Sequence, residues 1–286
     1  MGIQKQQFFN LLLLMLLGIF FSNFYLLWYE VGTILLFTVL ASMAISWKLN
    51  QAKKILDFSS LTTAIGVIMM MVSFHLWIYF IVITLGLIQK NYLKIEGKHF
   101  FNPSNFALIM ALLFFYKDAH IVLGQLGDEL WLHILLSFMA VAILIRVNRW
   151  IIPLFFTLFY LFFQYIFVLP YDPVLLMEDI YYRFYSLSFI LFILFMLTDP
   201  KTTPTNSIYQ IFFALFIALL SSLFDRYYDF RVQHLFLSLF FFSLFTPLVL
   251  NYSKSLLLKT AFIAFVVIVV IITIESKTPY YFSMEY

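Results

Sequence analysis

The sequence predicts an all-α, polytopic membrane protein with about 10 to 11 transmembrane helices. Apolar residues make up 64% of its 286 residues, charged residues make up only 11%, and the mean hydropathy is +1.00. These values lie well outside the range of soluble domains. The apolar stretches are long enough for helices that cross a hydrocarbon core about 30 Å thick, and none alternates with the period of two that membrane strands require. We therefore expect a lipid bilayer to surround most of the chain.

The predicted helices follow one another with short connections. The first apolar segment is longer than the core of a signal peptide and has no small-residue cleavage site after it, so we expect it to remain in the mature protein. No loop exceeds about fifteen residues, which leaves no room for a domain outside the membrane. The eleven segments are residues 8–28, 31–47, 58–74, 75–89, 104–116, 131–145, 150–168, 184–198, 207–224, 232–252 and 257–274.

Basic residues in the loops predict the orientation, because cytoplasmic loops carry an excess of Lys and Arg. With the N-terminus in the cytoplasm, twelve of the seventeen basic residues lie on the cytoplasmic side. We therefore predict a cytoplasmic N-terminus and an outer C-terminus. The outer connections 117–130 and 169–183 are acidic and offer a docking surface for a partner protein.

Composition also excludes several kinds of chemistry. The chain has no cysteine, which excludes disulfides, thiolate metal ligands, iron–sulfur ligation and a cysteine nucleophile. Its five histidines lack the helical spacing that favours a metal or haem site. No predicted segment carries a charge at its centre, which disfavours an ion pump, and the scattered basic residues disfavour nucleic acid as a partner. Any redox function therefore needs an organic cofactor or a partner subunit.

Three polar stretches interrupt the apolar segments. They are SSLTT at 59–63, NPSN at 102–105 and TDPKTTPTN at 198–206, and the predicted topology puts all three on the cytoplasmic side at the mouth of a helix. Helices that begin within the membrane build small-molecule sites, since irregular backbone is tolerated only where protein or water satisfies it. We expect the three stretches to meet at one depth and to enclose a flat ligand.

The NPSN stretch has two interpretations. In the first, Asn102 is the N-cap of a helix whose first residue is Pro103. In the second, the amides of Asn102 and Asn105, next to Phe101, bind the polar edge of a heteroaromatic ring. The sequence leaves both open.

The other two stretches are equally ambiguous. The hydroxyls of 59–63 either pack between helices or face a ligand. The prolines of 198–206 end one helix and begin the next. Asp199 stands at the end of an apolar segment, where a carboxylate needs a partner, and we expect Lys201 or helix N–H groups to supply it.

Several motifs follow one another in a recognisable order. A basic residue, His, an aromatic residue and Asn-Pro-Ser-Asn-Phe occupy residues 98–106, and Thr-Asp-Pro-x-Thr-x-Pro occupies residues 198–204. A Ser-x-x-Thr opening lies at residues 60–63, and an aromatic-Thr-Pro-Leu element lies at residues 245–248. In this order the motifs resemble the RnfD/NqrB family of membrane subunits of respiratory electron-transport complexes, and in particular its reduced, UnbU-like branch.

The resemblance implies a fold and a setting. The fold has two inverted five-helix repeats like those of urea and ammonium transporters, at 1–116 and 131–252, and an additional C-terminal helix at 257–274. The setting is a bacterial cytoplasmic (inner) membrane, with other redox subunits in the membrane or the periplasm as partners. Larger members bind FMN covalently at an Asp-x-Ser-Gly-Ala-Thr motif, which is missing here because no glycine precedes an alanine. The resemblance therefore implies a non-covalent flavin, either riboflavin or FMN.

The implied flavin would lie at the helix breaks near the cytoplasmic face. Asn102 and Asn105 would contact the ring, and residues 199–203 would close the site from the second repeat. A lysine ammonium near N1 would favour the reduced anion, and threonine hydroxyls would pair with the ribityl chain. The full predicted set is Thr62, Thr63, Lys98, Phe101, Asn102, Ser104, Asn105, Asp199, Lys201, Thr202 and Thr203.

Three functions remain open at this point. The first is a flavin-binding subunit of an electron-transfer complex, and the second is a small-solute channel or transporter with the same repeat fold. The third is a cofactor-free membrane scaffold for a partner protein. None of the residues in this chain forms a complete catalytic site by itself.

Overall fold

The computed structural model describes residues 3–21, 24–49, 57–95, 97–122 and 130–250. Within these residues the fold is mainly helical, with four short strands in two antiparallel ladders. The predicted helix at 257–274 lies outside the described residues, as do the side chains of the element at 245–248.

The helices follow the predicted apolar segments closely. Each of the ten predicted segments between residues 8 and 252 overlaps a helix, because long apolar runs must satisfy their backbone hydrogen bonds internally in a membrane. The helices are α1 Ile3–Phe21, α2 Trp28–Lys48, α3 Phe58–Met70, α4 Leu76–Tyr92, α5 Pro103–Phe114, α6 Leu130–Val147, α7 Ile151–Phe163, π1 Gln164–Val168, α8 Met177–Tyr185, α9 Leu187–Leu191, π2 Phe192–Met196, α10 Ser207–Tyr227 and α11 Gln233–Leu250.

Two predicted boundaries were wrong. Helix α1 begins at Ile3 rather than at residue 8 and ends at Phe21, because its first turns are polar and extend beyond the apolar run. The connection 169–183 was predicted as a loop but contains most of α8. This helix carries several charged residues, so it does not form the apolar run on which the prediction was based.

The protein is a multi-pass membrane protein. Four of the described helices are long and apolar enough to cross a membrane: α1, α2, α7 with π1, and α10. A fifth span is formed if α8 is counted together with α9 and π2, which meet at a bend of 59°. Helices α3, α4 and α5 are also apolar but have only 13, 17 and 12 residues, so several of the predicted spans are shorter than the roughly 20 residues of a full crossing.

The short helices α3 and α5 are joined at their ends. Strand β1 (Met71–Ser73) follows α3, strand β4 (Ala119–Ile121) follows α5, and the two strands pair antiparallel. A second ladder, β2 (Lys94–Ile95) with β3 (Lys98–His99), turns at Gly97, whose φ of 78° favours glycine. With 13 and 12 residues, α3 and α5 are roughly 20 Å long, less than the hydrocarbon thickness.

Two glycines allow close packing around the start of α5. A Cβ at Gly86 of α4 would lie 2.8 Å from the Pro103 carbonyl oxygen, and one at Gly66 of α3 would lie 2.8 Å from Ser104 Oγ. The polar first turn of α5 therefore packs directly against the backbone of α3 and α4 at these two glycines.

Helix α5 also packs against α11. The Asn105 amide donates to the Phe236 carbonyl oxygen at 3.1 Å, and the Phe101 ring stacks on Phe240 with centroids 5.2 Å apart. The Phe240 ring also lies 5.9 Å from the Phe106 ring, so the beginning of α5 and the residue before its cap both face α11.

Candidate functional site

The three polar stretches meet around one cavity of about 250 Å³, which we call the first cavity. The predicted convergence of the three stretches is thus confirmed, while their common depth in the membrane stays a prediction. The first stretch contributes Ser59, Thr62 and Thr63, the second Asn102, Pro103 and Ser104, and the third Asp199, Pro200 and Lys201. Gln4 and Gln7 of α1 and the buried His99 complete the lining.

Asn102 is the N-cap of α5. Its Oδ1 accepts from the backbone N–H groups of Ser104 and Asn105, both at 3.1 Å, and Pro103 occupies the first helical position. Its Nδ2 also reaches the Met196 carbonyl oxygen at 3.5 Å, at the end of π2. The capping interpretation is therefore confirmed, and the same amide links the second polar stretch to the third.

The hydroxyls at the cavity donate to backbone carbonyls. Ser104 Oγ donates to the Thr63 carbonyl oxygen at 3.1 Å, which connects α5 to α3. Thr62 and Thr63 donate to carbonyls one turn back in α3, at 2.8 and 3.0 Å. Because their donors are used, these hydroxyls retain only oxygen lone pairs for an additional partner.

Asp199 has two partners, of which the sequence predicted one. Its Oδ1 accepts from the Lys201 backbone N–H at 3.0 Å, and its Oδ2 lies 3.5 Å from His99 Nε2. Burial raises the pKa of Asp199, but the nearby His99 and the Lys201 N–H lower it more, so the pKa lies below the ordinary value. His99 Nε2 is buried and has no well-directed hydrogen bond among the described residues. It is an unsatisfied polar atom in the wall of the first cavity.

Five of the predicted ligand residues do not line the first cavity. Lys98 is exposed in β3, Thr202 is half-buried in the turn after Asp199, and Thr203 accepts from Arg149 Nε at 2.9 Å. Phe101 and Asn105 face α11 instead, through the ring stack on Phe240 and the amide bond to Phe236.

The predicted aromatic wall is displaced from the cavity. Phe101 packs against Phe100 and Phe106, and both Phe101 and Phe106 pack against Phe240 of α11, because large apolar rings gain by packing together away from polar groups. The only ring that lines the first cavity among the described residues is the imidazole of His99.

An ion pair between the buried Lys90 and the half-buried Asp57, which the sequence did not predict, lies at the start of α3. Lys90 Nζ donates to Asp57 Oδ2 at 2.9 Å and to Ser60 Oγ at 3.2 Å. Asp57 also caps α3 by accepting from the Ser59 N–H. Lys90 stands at the end of an apolar run, where the sequence suggested only a cytoplasmic loop charge.

The carboxylates of Asp57 and Asp199 predict an acid-sensitive fold. Burial raises the pKa of Asp57, but Lys90, Ser60 and the Ser59 N–H lower it more. Because both folded-state pKa values lie below the unfolded ones, their stabilisation is present above about pH 4 and is lost as pH falls through the folded values. We expect the melting temperature in detergent to fall steeply below about pH 4. Asp57→Asn keeps the cap, should lower the melting temperature at neutral pH, and should flatten the acid limb.

Thermal unfolding followed by intrinsic fluorescence at a series of pH values measures both effects. Asp229→Asn, at an exposed ion pair, is the control for a general change in charge. If the melting temperatures of the wild type and of Asp57→Asn fell in parallel with decreasing pH, the stabilising role of the Asp57 carboxylate would be contradicted.

A second polar cluster was also missed. Asp225 of α10 is fully buried, and its Oδ2 accepts from Arg183 Nη1 and Gln164 Nε2, both at 2.7 Å, and from the Tyr160 hydroxyl at 2.8 Å. Its Oδ1 accepts from the Arg231 N–H at 3.2 Å and lies 2.9 Å from His234 Nδ1. Four members of the cluster stand at or beside the ends of predicted segments, where charge is expected to be solvated: Arg183, Asp225, Arg231 and His234. Tyr160 and Gln164 lie inside the predicted segment 150–168. The one available signal was that these four residues adjoin segment ends on the same predicted side.

Comparison with known families identifies one match. Residues 114–259, about half of the chain, match the model of the NQR2, RnfD, RnfE family. The matched range includes Asp199, Lys201 and the Arg183–Asp225 pair, whereas the NPSN stretch precedes it. None of the curated proteins compared with the chain matches it.

Proposed function

The chain belongs to the NQR2, RnfD, RnfE family, as the motifs implied, and we propose that it is a flavin-binding membrane subunit of an Rnf- or Nqr-type electron-transfer complex. The flavin is non-covalent, riboflavin or FMN, and occupies the first cavity. The observation that carries the proposal is the convergence of three distant polar stretches on one cavity, with the buried His99 nitrogen in its wall.

The donor and acceptor set of the cavity fits the polar edge of a flavin ring. The ring edge offers carbonyl oxygens and ring nitrogens, which match the unsatisfied His99 Nε2, the Lys201 side chain and the amides of Gln4 and Gln7. The volume of about 250 Å³ is slightly below the usual range for ligand pockets of about 300–1,000 Å³. The cavity therefore suits the ring better than a complete nucleotide.

When bound, a flavin would supply electron-accepting chemistry between two partner redox centres. Asn102 positions the first turn of α5 and ties it to the end of π2. His99 Nε2, 3.5 Å from Asp199 Oδ2, can hold a proton at the cavity wall. Lys201 adds positive charge at the same wall, and the buried apolar residues of α3 beyond Thr63 exclude water. No step of this scheme needs a catalytic nucleophile from the chain.

We propose the inverted-repeat arrangement as the reason that the stretches converge. The first repeat is residues 1–116, the second is residues 131–252, and a C-terminal helix at 257–274 is added. The contact of α5 with α11 supports this, since such a fold brings helices of the two repeats together around the polar breaks. The same scheme puts the N-terminus in the cytoplasm of a bacterial cell, the C-terminus outside, and redox partners in the membrane or the periplasm.

The experiment is purification of the full chain in mild detergent, followed by a visible spectrum and identification of any released chromophore. We expect near-stoichiometric flavin in the wild type. Asn102→Ala should reduce the bound flavin at least tenfold, because it removes a cavity amide and the α5 cap together. The cap alone accounts for about 1 kcal/mol of stability.

Asn206→Ala is the matched control, since Asn206 caps α10 in the same way but is exposed and does not line the cavity. Asn102→Asp keeps the cap acceptor and tests the amide separately if the alanine variant folds poorly. Wild-type protein without flavin, or equal flavin loss in both cap variants, would refute the site.

A cofactor-free scaffold is the second candidate, and one observation favours it. Asn102, Ser104, Thr62 and Thr63 all satisfy hydrogen bonds inside the protein, and no Phe ring lines the cavity among the described residues. Colourless wild-type protein of full thermal stability would support it. A solute channel receives less support, because the buried residues of α3 beyond Thr63 and of α5 beyond Asn105 are apolar in the described chain.

A further inference from the structure

The first cavity has a closed side and an open side. The closed side is formed by lining residues that are buried: Thr63, His99, Asn102, Pro103 and Ser104. The open side is formed by lining residues that are exposed: Gln4, Pro200 and Lys201. The volume of about 250 Å³ suits a flavin ring rather than a complete nucleotide. The side chain of a bound flavin must therefore extend past the open side.

Three exposed basic residues stand at the open side. Lys201 lines the cavity itself. Lys5 of α1 is exposed, and its Nζ lies 5.5 Å from the centre of the Phe58 ring at the start of α3. Arg146, which is exposed at the end of α6, donates from Nη1 to the Gln6 side chain at 2.9 Å. We call Lys5, Arg146 and Lys201 the cationic rim.

Acidic residues do not offset the charge of the rim. Asp199 is the one acidic residue among the described lining, and its carboxylate already has His99 and the Lys201 backbone N–H as partners. Asp57, at the start of α3, pairs with Lys90. Helices α3 and α5 both begin at the cavity, and the N-terminal end of a helix carries a partial positive charge. The first cavity and its rim therefore favour an anionic group.

A second cavity, of about 480 Å³, has the opposite charge balance. The charged residues that line it are Asp172, Asp179, Arg183 and Arg231. Its two arginines pair with Asp225 and Asp229, whereas its two aspartates take part in no ion pair within the described part of the chain. The excess charge is negative, so this cavity disfavours an anion despite its larger volume.

We propose that the ligand of the first cavity carries a phosphate group that binds at the cationic rim, so that the flavin is FMN rather than riboflavin. This inference rests on the proposed function, because it concerns the side chain of the flavin whose ring occupies the cavity. A phosphomonoester carries a charge of about −1.5 to −2 at pH 7 and three acceptor oxygens. Ammonium and guanidinium groups form strong charge-assisted hydrogen bonds with such oxygens. Riboflavin ends in a neutral hydroxyl and gains little from the charges of the rim.

Mass spectrometry of the chromophore released from the detergent-purified full chain is the first test. We expect FMN from the wild type. Riboflavin as the sole flavin would overturn this inference and leave the proposed function intact. Protein without any flavin would refute the proposed function, and this inference with it.

Titration of the flavin-free full chain with FMN and with riboflavin measures the contribution of the phosphate. Quenching of flavin fluorescence gives a Kd for each ligand. We expect FMN to bind at least about tenfold more tightly than riboflavin at low salt. The difference should shrink at about 1 M salt, because the charges of the rim are exposed and therefore screened. Equal Kd values at low salt would contradict a phosphate at the rim.

The variant Lys5→Gln/Arg146→Gln removes two charges of the rim and changes no residue that lines the cavity. We expect its Kd for FMN to rise about tenfold and its Kd for riboflavin to stay the same. Lys5→Gln alone, a change at an exposed side chain, tests the charge if the double variant folds poorly.

Lys48→Gln is the matched control for the rim variants. Lys48 is an exposed basic residue at the end of α2, on the same predicted side of the membrane, and it does not line the cavity. We expect its Kd for both flavins to equal that of the wild type. An unchanged Kd for FMN in the rim variants, or an equal loss of affinity for FMN and riboflavin, would overturn the inference.

Discussion

Asp225→Asn is expected to lower the free energy of unfolding by about 3–5 kcal/mol, the cost of removing one partner from a buried ion pair. The Arg183 side chain is 3% exposed and that of Asp225 is fully buried, so no water can replace the lost charge. Asparagine also replaces one carboxylate oxygen, which accepts hydrogen bonds, with an amide NH₂ group, which donates them. Arg183, Gln164 and Tyr160 are donors themselves, so they would lose an acceptor. Chemical or thermal unfolding in a fixed detergent measures the loss.

The neighbouring Asp229 supplies the matched control. Its ion pair with Arg231 has the same 2.7 Å separation, but the two side chains are 75% and 51% exposed. Asp229→Asn should therefore change stability by about 0–1 kcal/mol. Asparagine also tolerates the positive φ of 66° at this position, so backbone strain does not enter the comparison.

A double variant separates the charge from the shape of the site. Arg183→Met with Asp225→Asn removes both charges, so we expect it to be more stable than Asp225→Asn alone. Equal losses at Asp225 and Asp229 would mean that the buried cluster is not a stabilising ion pair.

Gly86→Ala is expected to destabilise the protein by about 1–3 kcal/mol and to remove any ligand of the first cavity. The new Cβ would lie 2.8 Å from the Pro103 carbonyl oxygen and 3.3 Å from Ala107 Cβ. A backbone atom cannot rotate away, so α4 and the first turn of α5 must separate. That turn holds Asn102 and Ser104, hence the cavity wall moves with it.

Gly32→Ala in α2 is the control for Gly86→Ala. Nothing lies within 4 Å of its added Cβ, and alanine favours a helix over glycine by up to about 1 kcal/mol. We therefore expect equal or higher stability for Gly32→Ala. A Gly86→Ala protein with unchanged melting temperature and ligand content would show that α4 and α5 can adjust without cost.

The membrane class and the positions of the helices could be predicted from sequence because they depend on local properties. An apolar run of sufficient length must form hydrogen bonds within itself in a bilayer, wherever it lies in the fold. The cap at Asn102 was predictable for the same reason, since Asn followed by Pro satisfies the first N–H groups of its own helix. The meeting of the three polar stretches could also be predicted, because the order of the segments puts all three stretches on the same side of the membrane.

The side-chain directions within the site could not be predicted. Asn105 and Phe101 adjoin Asn102 in sequence, yet both contact α11, more than 130 residues away. Gln4, Gln7 and His99 line the cavity although no ligand role was predicted for them. Which face of a helix meets which neighbour depends on packing angles that no local pattern contains.

The sequence by itself determined that this chain crosses a membrane, where most of its helices lie, and which polar stretches interrupt them. The tertiary structure alone decided that Arg183 and Asp225, 42 residues apart, share a buried site, and that the aromatic rings next to the NPSN stretch pack away from the cavity. The physical reason is that burial of a charge or a ring is decided by distant neighbours, whereas helix formation in lipid is decided by the segment itself.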